Sequence, residues 1–126
     1  MGNATASLTD PAQQATAKHP RPLDLVHLAC QTLGNRELEA EVLRMFLRQS
    51  LVQLQQIATA QTPRELSAAA HQLLGSARAI GAWGVAECAE AIEQSTATGE
   101  HGLRPRLAAL ECAVAEANAF IRQLVD

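Results

Sequence analysis

Apolar residues recur at steps of three and four through most of this chain, and a periodicity of that kind commits it to helices rather than strands. The series Leu103, Leu107, Leu110, Val114, Ala117, Ile121 and Leu124 alternates fours and threes, the seam of a helix packed at a shallow angle on its neighbours. Leu43, Phe46, Leu47, Leu51, Leu54, Ile57 and Ala58 keep the same rhythm and predict a helix that runs to about residue 60. Asn35 is its N-cap, and Glu37, Glu39 and Glu41 put negative charge near its positive end.

The firmest boundary is Thr62-Pro63-Arg64-Glu65, which offers an N-cap, a proline at the first helical position and a glutamate at the third. It opens a helix over about 63–80, with Gly81 as a left-handed stop. Val85, Cys88, Ala89 and Ile92 mark another over about 83–96, and residues 98–102 read as the turn after it. A shorter pattern, Leu25, Leu28, Ala29 and Leu33, predicts two to three turns that stop at Gly34. Four long helices with short connections predict an all-α, antiparallel up-down-up-down four-helix bundle with a short additional N-terminal helix.

Residues 1–21 lack periodicity and read as a flexible tail or linker, leaving 22–126 as one domain. Aromatic residues are limited to Phe46, Trp83 and Phe120, so the core is built from Leu, Ile, Val and Ala, and bases find no stacking platform. Ten Lys and Arg are scattered through a chain of net charge -3, which argues against nucleic acid and anionic membranes as partners. No apolar run is long enough to cross a bilayer, and the first residues resemble neither a signal peptide nor a myristoylation site. A cytoplasmic monomer with a protein or small-molecule partner is the expectation. Cys30, Cys88 and Cys112 are odd in number and far apart, so they read as small buried hydrophobes rather than disulfides.

At about 100° per residue, Leu66, Ala69, Leu73, Ala77 and Ile80 share one side of the 63–80 helix. Arg64, Ser67, His71, Gly75 and Arg78 fall opposite, so His71 points outward. An exposed histidine is ordinarily a plain surface residue, but here a glycine follows one turn later on the same face. Glycine inside a helix costs about 1 kcal/mol relative to alanine, and Gly75 faces the wrong way to serve close helix packing. Clearing room beside an exposed imidazole accounts for it. Arg78 and Arg64 are candidate holders of an anionic group on this face.

The run His71-Gln72-Leu73-Leu74-Gly75-Ser76-Ala77, followed by Ile80-Gly81-Ala82, resembles the signature of histidine phosphotransfer (HPt) domains. The similarity extends into Cys88, Ala91 and Glu93, and covers about residues 23–126. It implies that His71 accepts a phosphoryl group from a receiver-domain aspartate and passes it to another. The partners implied are receiver domains of a hybrid sensor kinase or response regulator. The chain would need no cofactor or metal of its own, with Mg²⁺ on the partner receiver. Phe46-Leu47-Arg48-Gln49 is similar to a family segment whose glutamine approaches the histidine, which implies that Gln49 hydrogen-bonds the imidazole or the phosphoryl group. Leu74 stands where the family commonly has lysine. It is expected on the rim of the His71 face as an exposed docking residue, with Arg78 supplying charge.

Three other readings compete. A docking module that binds and sequesters a receiver without carrying phosphate would keep the fold and lose the chemistry. A metal bundle lacks an i, i+4 histidine pair or Glu-x-x-His. A hydrolase would pair His71 with Ser67, one turn before it, yet nothing marks an oxyanion site. Trp83 is expected to pack the Gly81-Ala82 corner, and Glu87, Glu90 and Glu93 to form a solvated face.

Overall fold

A computed structural model describes residues 21–99 and 102–125 of the chain. The expected tail, apart from its last residue, and Glu100 and His101 of the turn lie outside the described residues. Five helices follow one another: α1 (Leu25–Gln31), α2 (Arg36–Ala58), α3 (Pro63–Ile80), α4 (Trp83–Thr98) and α5 (Leu103–Val125). Helices α2 to α5 form the bundle, with α3 and α5 each packed between α2 and α4, while α1 lies against α3.

Local chemistry starts and stops the helices much as the sequence predicts. Asn35 Oδ1 accepts from Leu38 N at 3.0 Å, and Thr62 Oγ1 accepts from Glu65 N at 3.1 Å. Glu65 returns a bond to Gln61 N at 2.8 Å, one residue beyond the usual capping-box partner. Gly81 (φ 77°) and Gly99 (φ 71°) end α3 and α4 in the left-handed conformation. Helix α2 stops at Ala58, earlier than the periodicity implied, where Thr59 caps it; α4 runs on to Thr98.

Four expectations need correction. The α2 stripe turns inward at Ser50, not Leu51, because Leu47 permits a step of either three or four and the flanks of α3 and α5 select three. Ser50 is fully buried and accepts a hydrogen bond from Asn118 Nδ2 at 3.1 Å, while Leu51 and Ala58 are exposed. Leu33 is 93% exposed at φ 55°. It lies past the end of α1, which Thr32 closes by bonding Leu28 O at 2.9 Å. Leu103 and Leu124 are exposed at the two ends of α5, and Val125 packs instead. The cysteines are free but not buried: Cys30 and Cys112 face solvent on the outer sides of α1 and α5, and Cys88 is half-buried, its thiol pKa raised first by that burial.

Helix α1 is too short to hold itself, and side chains fasten it to the α3–α4 corner. Asp24 N bonds Gly81 O at 2.9 Å, and Trp83 Nε1 donates to Asp24 Oδ2 at 3.0 Å. His27 Nε2 donates to Arg78 O at 2.8 Å, since a carbonyl can only accept. The His27 and Trp83 rings meet edge to face at 4.9 Å. A Cβ on Gly81 would come within 2.9 Å of Asp24 Cβ, so glycine is required there for close approach as well as for φ. Trp83 packs the corner, as expected.

Candidate functional site

The outer face of α3 carries the site. Its inner face buries Ala69, Ala70, Leu73, Leu74, Ala77 and Ile80 between α2 and α4. That burial leaves His71 outward, its side chain 70% exposed. The rigidity of the ring comes from the packing behind it and from one bond beside it. His71 Nδ1 lies 2.9 Å from Glu93 Oε2 on α4. An ionised carboxylate can only accept, so Nδ1 carries the hydrogen, and in the neutral ring Nε2 then presents its lone pair away from α4.

A groove between α3 and α4 runs past this pair, lined by Pro63, Arg64, Ser67, Ala68, His71 and Gln72 on one side and Glu93 and Thr96 on the other. Arg64 is exposed, without an ion-pair partner among the described residues, and Ser67 is half-buried. Arg78 stands about 10 Å along the helix axis from His71. Its guanidinium leans to Glu90 on α4, 3.4 Å away, outside the groove. A Cβ added to Gly75 meets nothing within 4 Å, so no packing against a neighbour requires glycine there.

Two residues expected on this face are elsewhere. Leu74 is 4% exposed. The apolar arc of α3 is wide because the helix packs on both α2 and α4, and Leu74 belongs to its α4 side, so it is a core residue and not a docking residue. Gln49 is exposed on α2, and the structure does not bring it to His71. Gln53 Nε2 donates to Ser76 Oγ at 3.4 Å, and in antiparallel helices this aligns Gln49 with about Ile80, some 13 Å along the axis from His71.

Glu93 is the partner that sequence reasoning assigned to a solvated face. Its signal was present: His71 and Glu93 are equally far in sequence from Ala82, the corner of an antiparallel helical hairpin, and so sit at the same height. Glu90 is likewise engaged, with Arg78. Among the described residues no group of three or more His, Cys, Asp or Glu side chains could hold a metal ion, and no helix is long and apolar enough to cross a membrane.

The family model of the Hpt domain matches residues 41–126, well over half of the chain. No curated protein and no solved structure matches it.

Proposed function

The chain belongs to the Hpt domain family, and from that premise we propose that His71 is the residue that takes up and gives away the phosphoryl group. Membership carries a histidine phosphotransfer role in two-component signalling, as a phosphocarrier rather than an enzyme with its own catalytic centre. Receiver domains are the partner class that follows. The observation that carries the assignment is the exposed His71 ring held through Nδ1 by Glu93, with Nε2 free and an open flank at Gly75.

The Nε2 lone pair attacks the phosphorus of an aspartyl phosphate on a receiver. The N–P bond forms as the P–O bond to the aspartate breaks, and the carboxylate leaves with the electron pair. The positive charge that develops on the imidazole is offset by Glu93 through Nδ1–H. In the onward step an acceptor carboxylate attacks phosphorus, and the N–P electrons return to the ring. Ser67, one turn from His71, and Arg64, in the same groove, are the candidates to hold phosphoryl oxygens, while Arg78 stands as far along α3 on the other side and is turned to Glu90. Mg²⁺ is assigned to the receiver's acidic pocket, and no cofactor to this chain. Phosphoryl transfer depends mainly on alignment and charge, which is what a rigid bundle supplies.

The docking-only reading is raised by Leu74 standing where the family commonly has lysine; Leu74 is buried, so it offers a receiver no exposed apolar contact of its own. The test is incubation with a phosphorylated receiver, following acid-labile label on the wild type and on His71→Gln. Label on the wild type that vanishes in the variant supports transfer. Binding of receivers with no label on either chain would sink it in favour of a docking module.

A further inference from the structure

The side of α2 turned away from the core carries Leu38, Met45 and Val52, exposed by 42%, 45% and 57%. They are spaced by sevens, so they line up along the helix as a narrow apolar seam. Buried Leu43, Phe46 and Ile57 already supply the face α2 needs for the bundle. The seam is therefore a second apolar face on one helix, and nothing among the described residues covers it.

Its flanks differ. Glu41 and Arg48 border one side and Gln49 and Gln56 the other. All four are exposed, and Glu41 and Arg48 have no ion-pair partner among the described residues. Two copies of such a helix meet in one of two ways. In a parallel pair the charged flank faces the glutamine flank, and no charges match. In an antiparallel pair about a two-fold axis, each flank faces its own copy. With the axis at Met45, Leu38 of one copy meets Val52 of the other, and Met45 meets itself. Glu41 then comes level with Arg48 of the second copy, within about one residue rise of 1.5 Å, and the same ion pair forms twice.

We propose that the seam is a self-association surface on which α2 pairs with α2 of a second copy of this chain, antiparallel and centred on Met45. This departs from the monomer expected from sequence, and it does not depend on the role given to His71. No residue lining the His71 groove belongs to α2, so both histidines of the pair stay open to partners. Three apolar residues make a small interface, below the size of stable dimers, so the association is weak and dependent on concentration.

Sedimentation equilibrium over micromolar to millimolar protein tests this. The mass should climb from the 13.4 kDa of one chain toward twice that value. Met45→Glu should hold it at one chain, with helical circular dichroism unchanged because the position is exposed. Glu41→Arg and Arg48→Glu should each weaken association several-fold, and the two together should restore it. A single-chain mass at every concentration, or charge reversals with no effect, would overturn the proposal. So would a Met45→Glu variant of unaltered mass that loses affinity for a receiver, an outcome that would give the seam to that partner.

Discussion

His71 and Glu93 meet across the α3–α4 groove at 2.9 Å, Nδ1 to Oε2, from positions equidistant in sequence from the corner that joins their helices. The bond fixes both the tautomer and the ring direction. Glu93→Ala should leave the fold intact and slow phosphoryl uptake by up to about 100-fold, the scale of a misplaced reacting group. Glu93→Gln, which can accept the same hydrogen without the charge, should fall between. Imidazole ¹⁵N shifts provide the check independent of rate: the Nδ1–H form should dominate in the wild type and lose that dominance in Glu93→Ala.

Gly75 separates stability from function. Nothing stands within 4 Å of a Cβ at this position, so Gly75→Ala should stabilise the bundle by about 0.5–1 kcal/mol in thermal or urea unfolding. On the reading that Gly75 leaves room beside His71, transfer from a receiver should fall in the same variant, and fall further in Gly75→Leu. Unchanged transfer in both would remove the access role.

Ser50 and Asn118 form a buried polar pair between α2 and α5, with Asn118 Oδ1 left without a partner. Asn118→Ala should cost about 1–3 kcal/mol, because it removes the donor to Ser50 Oγ, which keeps only its own 3.4 Å bond to Leu47 O, and opens space. Ser50→Ala combined with Asn118→Leu should recover most of that loss in urea titrations, since neither polar group is then left buried alone.

Asp24 holds α1 to the corner, and its carboxyl pKa is lowered, first by the hydrogen bond from Trp83 and next by the His27 backbone N–H. A depressed carboxyl contributes stability above its ordinary value of 3.8 and loses it as pH falls through the folded value. Trp83 is the only tryptophan in the chain, so its fluorescence should report α1 loosening in acid. Asp24→Asn should flatten that transition and show the loosened signal at neutral pH.

Much of the fold is legible in the sequence because it is written in short-range terms. Thr62-Pro63-Arg64-Glu65 and Asn35 start helices by bonds that reach three residues, and Gly81 stops one by its own backbone freedom. The outward direction of His71 follows from a period of 3.6 on a single helix. Resemblance supplied the chemistry expected of that histidine. The readings that failed involve ambiguous steps or pairs of helices. Leu51 and Ser50 both satisfy the period, and Leu74 lies at the edge of an arc whose width depends on how many neighbours α3 has.

The sequence by itself determined the five helices, their order and the exposure of His71, since each depends on residues within about one or two turns of one another. Tertiary structure decided which atoms share a site. It set Glu93 rather than Gln49 beside the imidazole, buried Leu74, moved Arg78 toward Glu90, tied α1 down through Asp24 and Trp83, and left Leu38, Met45 and Val52 uncovered. The reason is geometric: a one-residue difference in helix register shifts a side chain by about 100° and 1.5 Å. Register between helices is fixed only when their buried faces pack together.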